Sequence, residues 1–409
     1  MMSDRKLKIY NGNIITPYRI INNGTVVVTD GKITAVAEGN IDVAEAVEID
    51  AGGSYIAPGF IDMHIHGGGG YDFMDGDVNS FLKIAETHVK YGTTAMCPTT
   101  LTSELSNLLQ TLEHYEQARD LNTSGAQFLG MHLEGPYFSK NQSGAQDPRF
   151  MRNPDPAEYN QVLFHAHSIR RWSAAPELKG AMEFGRHLKS LGIIPAIAHT
   201  DAIYEEVLEA FENGYTLATH FYSAMSGVSR RNAFRYAGAI EAGYLIDEMD
   251  VEIIADGIHL PPPLLKLVYK IKGASRTALI TDAMRATGMP EGRSILGNIH
   301  DGLEVIIEDG VAKMMDRSAF AGSVATADRL VRTMVGQAGV PLAEAIQMIT
   351  ATPARILGVA DHKGTIMEGK DADLVLFDQD IRISMTIIKG KIVYQAKPEV
   401  QADPLTITA

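Results

Sequence analysis

Pro58-Gly59-Phe60-Ile61-Asp62-Met63-His64-Ile65-His66-Gly67 reads as a turn that runs into a buried strand ending in two histidines. Pro58-Gly59 makes the turn, and Phe60, Ile61, Met63 and Ile65 form the apolar run of the strand. His64 and His66 are two residues apart, and residues i and i+2 of a strand point to one side. The two imidazoles therefore converge at the strand's end. Gly67 to Gly70 follow, so the backbone leaves without placing bulk over that point. Imidazole is a common ligand for zinc and other first-row metals. One such pair is more often two ordinary core histidines than a metal site, so the weight must come from the rest of the chain.

Outward from this stretch, apolar strand runs alternate with amphipathic segments of helical length. The runs are 61–66, 93–99, 128–135, 169–177, 193–200, 217–223, 251–259 and 278–283. Helical patterns lie between them at 81–91, 105–118, 181–191, 204–213 and 262–272. This α/β rhythm predicts a (β/α)8 TIM barrel. A six-stranded doubly wound sheet is the alternative, but it leaves strands over, and no glycine-rich dinucleotide fingerprint follows the early strands. Before residue 58 the chain is made of short strands separated by Asn11-Gly12, Asn23-Gly24 and Asp30-Gly31 turns. After the eighth run, 303–307 and 311–315 read as an inserted hairpin, followed by helices at 325–336, 342–351 and 352–358. The tail returns to β character at 364–366, 373–377, 381–388 and 391–394. The expected organisation is a barrel over 58–360 beside a small β-sandwich domain built from both chain ends, 1–57 and 361–409.

The 409 residues carry 36 Lys+Arg against 50 Asp+Glu, a net charge of −14. So acidic a surface argues against nonspecific nucleic-acid binding and against an anionic membrane face. An anionic substrate would have to be met by a local cationic pocket. The single cysteine, Cys97, lies in an apolar run and reads as a buried, inert thiol. No run approaches the length of a membrane span, and the first ten residues lack the apolar core of a signal peptide, so the expected location is the cytoplasm.

In a barrel of this kind the C-terminal ends of the strands build the site. There the sequence places His64 and His66, then His132 and Glu134, then His199, Thr200 and Asp201, then Thr219 and His220, then Asp256 and His259, and finally Thr281 and Asp282. Any one of these could be a cap or a hydrogen-bonded core residue. Their recurrence at one end of successive strands is what points to a metal such as Zn²⁺ or Fe²⁺.

The motifs Pro58 to His66, His132-Leu133-Glu134-Gly135-Pro136, Ala198-His199, Thr219-His220 with Ala224-Met225, Ala255-Asp256-Gly257-Ile258-His259, Ile280-Thr281-Asp282-Ala283, Ala321-Gly322-Ser323 and Ala351-Thr352-Pro353-Ala354-Arg355 carry a resemblance. The sequence resembles the amidohydrolase superfamily and, within it, the N-acetylglucosamine-6-phosphate deacetylases. Related hydantoinases use a modified lysine after strand four, and 169–177 contains no lysine. The resemblance implies Glu134, His199 and His220 as the main metal ligands and Asp282 as the catalytic base. It leaves His64 and His66 as ligands of a second ion, giving one divalent metal with capacity for two, zinc or iron. It implies hydrolysis of the acetamide of a phosphorylated N-acetyl amino sugar, with Asp282 acting first as base and then as acid. His259 either assists at the oxyanion or contacts a sugar hydroxyl.

Two positions depart from the family's pattern. Gln146 stands where a Gly-Ala-His histidine is usual, and Ser223 where asparagine precedes Ala224-Met225. Gln146, Ser223 and Ala224 are expected near the substrate, but Gln146 cannot carry positive charge. The segment holding Arg230, Arg231 and Arg235 could compensate, since arginine grips phosphate with paired hydrogen bonds, and Arg231 is the candidate for that contact. In the family this loop can lie near a neighbouring subunit, which implies a homodimer. The competing readings are an amidohydrolase for a different N-acyl amine and a non-catalytic member of the fold. Retention of Glu134, His199, His220 and Asp282 argues against the second.

Overall fold

In the computed structural model, which describes residues 6–397, eight parallel strands close into a ring. They are β1 (Phe60–Ile65), β2 (Thr93–Pro98), β3 (Met131–Glu134), β4 (Ile169–Ala174), β5 (Ile194–Ile197), β6 (Leu217–Ala218), β7 (Asp250–Ile254) and β8 (Thr277–Ile280). β1 pairs with β2, and β3 to β8 pair in chain order. A Thr99–His132 bridge joins β2 to β3, and an Ile65–Ala283 bridge joins β8 back to β1. Every residue of β1, β2, β3, β7 and β8 is buried. That is what the near-continuous apolar runs require, because a parallel sheet covered by helices has no wet face. Cys97 is buried in β2, and burial pushes its thiol up to about 12; it is inert, as expected.

The two chain ends meet in one eight-stranded sheet. Tyr55–Pro58 runs antiparallel to Leu374–Phe377, with Pro58 opposite Leu374. Because Pro58 leads directly into β1, this seam fixes where the first barrel strand starts. Gly59 has no alternative there: a Cβ would stand 2.1 Å from Thr94 Oγ1. Residues 1–5 and 398–409, the outer ends of the two terminal segments, lie outside the described residues.

Several elements differ from the sequence reading. The inserted hairpin has a third strand, Gly292–Leu296, paired antiparallel to Leu303–Glu308. Its glycine and serine give no strand signal, and a long-range partner supplies the order. Residues 364–366 are not a strand, since the chain turns at Gly364 with φ +86°. Helices Pro156–Val162 and Ala239–Leu245 have no counterpart in the sequence reading; each is 7 residues, too short to show a hydrophobic period. The arginine-rich segment forms a hairpin, Ser229–Arg231 against Phe234–Tyr236. Strands β5, β6 and β8 stop short of the expected ends because His199, His220 and Asp282 adopt φ of +47°, +31° and +49°, which no strand can hold.

The glycine run after His66 is packed by the helix Val78–His88. Asp77 caps it by accepting from Ser80 N–H. At the other end, buried His88 places Nε2 2.9 Å from the Gly67 carbonyl oxygen. Burial lowers His88 to about 4, whereas in the unfolded chain it takes up a proton near its ordinary value of about 6.5. The unfolded state therefore binds more protons between these values, and stability falls as pH drops through that window. The expected loss is on the order of 3 kcal/mol, at about 1.4 kcal/mol per pH unit. Urea midpoints measured from pH 7 to pH 4 should fall less steeply in His88→Gln; parallel slopes in the two proteins would contradict the assignment.

Candidate active site

β1 delivers His64, with His66 one step beyond its end, and their Nε2 atoms lie 3.2 Å apart. Both point to one side, as the i, i+2 spacing requires. Glu134 ends β3 and stands between two groups of imidazoles. Its Oε1 is 2.8 Å from His220 Nε2 and 3.3 Å from His199 Nε2. Its Oε2 is 3.3 Å from His66 Nε2 and 3.6 Å from His64 Nε2. Asp282 Oδ1 lies 3.1 Å from His66 Nε2 and 3.5 Å from His64 Nε2. Two buried groups result, His64/His66/Glu134 and Glu134/His199/His220, in each of which the donor atoms lie within 4.8 Å of one another.

His199, His220 and Asp282 are presented by left-handed backbone. A residue with a Cβ there costs about 1–2 kcal/mol, and surrounding bonds hold the conformation. Asp282 N–H donates to the His64 carbonyl at 2.9 Å, and Ser323 N–H donates to the Asp282 carbonyl at 2.7 Å. Ser139 N–H does the same for the His199 carbonyl at 2.9 Å. Ring orientation is fixed from behind. His199 Nδ1 donates to the Gln142 carbonyl at 2.7 Å, which leaves Nε2 facing Glu134. His259 Nδ1 lies 2.8 Å from Asp256 Oδ2. His64 Nδ1 lies 3.7 Å from Glu252, whose carboxylate is paired with the buried guanidinium of Arg171.

The protein alone makes this a place that retains positive charge. Burial would lower His64 and His66, but the charges of Asp282 and Glu134, with their hydrogen bonds, raise them to about 9 and about 10. Burial likewise works to raise Glu134, yet the His64 charge and the bonds from His199 and His220 hold it well below the usual carboxylate range. Asp282 is also held low, against burial, by His64 and His66. Buried carboxylates with imidazoles converging on them fit a divalent cation, which replaces those protons.

The cavity above has a volume of about 190 Å³ and is lined by His66, Glu134, Gln146, His199, His220, Ser223, Ala224, His259 and Asp282, as the sequence predicts. His64 lies beneath, fully buried. Of the arginine segment, Arg231's side chain lies outside the described residues, and Arg230 and Arg235 are exposed on their hairpin. Among the described residues that line the cavity, none is lysine or arginine. His132 is not turned to the site: its ring nitrogens meet Ser173 Oγ at 2.7 Å and Thr99 Oγ1 at 3.3 Å. Burial and Arg171 keep it well below its ordinary value, so it is a neutral core ring. Sequence reasoning missed Leu101, Leu296 and Phe320, which form the cavity's apolar wall, Phe320 lying 4.6 Å from the His259 ring. It also missed Arg171 and Glu252. These residues give no local signal, since their neighbours come from distant segments.

The amidohydrolase family model matches residues 55–393. The N-acetylglucosamine-6-phosphate deacetylase of Bacillus subtilis is 34% identical over 389 residues, covering 94% of this chain and 96% of that protein. The N-acetylgalactosamine-6-phosphate deacetylase of Escherichia coli O157:H7 is 35% identical over 366 residues, covering 89% and 93%. Among solved structures, a variant of the Mycobacterium smegmatis N-acetyl-D-glucosamine-6-phosphate deacetylase in complex with N-acetyl-D-glucosamine-6-phosphate superposes with a TM-score of 0.86 at 30% identity, covering 95% of this chain and 99% of that one.

Proposed function

The chain belongs to the amidohydrolase family, and on that footing we propose that it hydrolyses the acetamide of N-acetylglucosamine 6-phosphate to glucosamine 6-phosphate and acetate. The observation that carries the reading is Glu134, which turns one oxygen to His199 and His220 and the other to His64 and His66, with Asp282 beside them at the cavity floor. Glu134, His199 and His220 would hold one divalent ion, zinc or iron, and His64 and His66 with Glu134 a second, weaker one. Such an ion supplies Lewis acidity, polarising the acetyl carbonyl and acidifying water near neutral pH.

The chain's own groups do the rest. Asp282, ionised at neutral pH, accepts the proton of the attacking water. It then returns that proton to the departing nitrogen, since an amide anion cannot leave unprotonated. Asp256 fixes the His259 ring so that Nε2 is left for the substrate. Ser223 and Ala224 line the same wall. The described parts of 1–57 and 361–409 together form one small β-sandwich domain in this reading, and 58–360 the catalytic barrel. The enzyme is a homodimer in this reading, and the arginine hairpin meets the phosphate at a subunit boundary. Among the described residues no helix is long and apolar enough to cross a membrane. A phosphorylated sugar is charged and does not pass a bilayer unaided, which supports a cytoplasmic location.

Acetate release, measured with defined zinc or iron loading, tests the reading. N-acetylglucosamine 6-phosphate should be turned over and unphosphorylated N-acetylglucosamine hardly at all. The similarity to an N-acetylgalactosamine-6-phosphate deacetylase makes the 4-epimer the informative competitor. A higher kcat/KM for that epimer would reassign the sugar, and no acetate from either phosphate would remove the function.

A further inference from the structure

We propose that Gln146 is a positioning residue for Glu134, a neutral tether that fixes which carboxylate oxygen faces which pair of imidazoles. The inference rests on the metal reading of Glu134 given above. Gln146 is 6% exposed, and both ends of its amide are engaged. Oε1 accepts from Thr102 N–H at 2.7 Å. Nε2 donates to Glu134 Oε2 at 2.8 Å. The first bond determines the second. A backbone N–H can only donate, so the carbonyl end of the amide must face Thr102 and the NH₂ end must face Glu134. With Oε2 held, Oε1 stays on His199 and His220.

The loop that carries Gln146 is anchored at its other end on the same strand tips. Ser139 Oγ and Gln142 Nε2 donate to Asp201 at 2.9 and 2.6 Å, and the Gln142 carbonyl accepts from His199 Nδ1 at 2.7 Å. A single loop thus orients both a carboxylate and an imidazole of the centre. Partners of this kind, one bond behind the ligand, set ligand geometry and metal affinity. One amide hydrogen of Gln146 remains for the cavity, where it can donate to an acceptor oxygen of a substrate, and the residue brings no charge to a phosphate.

The test is zinc competition against a chromophoric chelator, using metal-stripped full-length protein near neutral pH. Gln146→Met keeps the length of the side chain, Gln146→Leu is one atom shorter, and each removes both bonds. Either variant, folded by circular dichroism, should bind the tighter zinc about 10–100-fold more weakly than wild type. Wild-type zinc affinity in the variants, with only KM raised, would overturn the tether and make Gln146 a substrate contact. If wild type itself takes up no zinc, the metal reading of Glu134 fails, and the tether falls with it.

Discussion

Asp282→Asn is expected to lower kcat by about 10²–10⁴-fold, the usual worth of a positioned proton-transfer group, with metal content unchanged. Asp282 sits two residues beyond β8 with Oδ1 3.1 Å from His66 Nε2. It is 7% exposed, yet its carboxyl is held below the usual range, because the positive field of His64 and His66 outweighs the cost of burial. The base is therefore ionised at neutral pH in the metal-free chain, and a divalent cation, which replaces the imidazole protons, would keep the field on it positive. Asparagine keeps the outline of the side chain and the backbone bonds to His64 and Ser323, and loses only the proton acceptor. Elemental analysis should find the wild-type complement of metal, and single-turnover acetate release should be slow even with substrate saturating. Turnover within about tenfold of wild type would remove Asp282 from the mechanism and leave the proton to another group of the cavity, such as His259.

The second large effect is structural. Arg171 in β4 and Glu252 in β7 are both fully buried inside the ring of strands. The guanidinium contacts both Glu252 oxygens, one of them at 2.9 Å, and donates to Thr219 Oγ1 at 2.9 Å and to the Met63 carbonyl at 3.3 Å. Burial works to raise Glu252, but Arg171 and His64 hold it low, so it is a charge that needs its partner. Arg171→Met strands that charge in an apolar core and should cost about 3–5 kcal/mol. Arg171→Met combined with Glu252→Leu removes both charges and should be more stable than the single variant, since two matched apolar groups avoid the desolvation penalty. Urea unfolding of the three proteins measures this. A double variant no more stable than Arg171→Met, or a loss below about 1 kcal/mol in the single, would show that the pair is not needed as a pair. The same contact reaches the site: Glu252 lies 3.7 Å from His64 Nδ1. The single variant should therefore also disturb the group formed by His64, His66 and Glu134.

The eight barrel strands are legible in the sequence because a buried parallel strand is a short, nearly continuous apolar run, and such a run carries its own signal. The β character of both ends is equally visible, in strand-period alternation broken by Asx-Gly turns. The chemistry of the centre is legible for a related reason. Polar residues recur at the ends of successive apolar runs, and that recurrence, more than any one residue, makes His64, His66, Glu134, His199, His220 and Asp282 stand out. The i, i+2 rule by itself sets His64 and His66 side by side.

What the sequence could not decide is everything that depends on partners far along the chain. Arg171 and Glu252 are 81 residues apart, and only closure of the ring brings them together. Gln146 reads as a substrate contact, yet the Thr102 N–H, 44 residues away, turns its amide toward Glu134. His132 stands among the polar residues that close the strands, but its ring is taken up by Thr99 and Ser173 in the core. The left-handed turns at His199 and Asp282 are uncommon for residues with a Cβ, and they are held by hydrogen bonds from distant segments, Ser139 N–H to the His199 carbonyl and Ser323 N–H to the Asp282 carbonyl. The sequence by itself determined which residues could ligate and which elements would carry them. Their aim was decided by the tertiary structure, because a side chain's direction at a strand end is set by contacts that form only when the barrel closes.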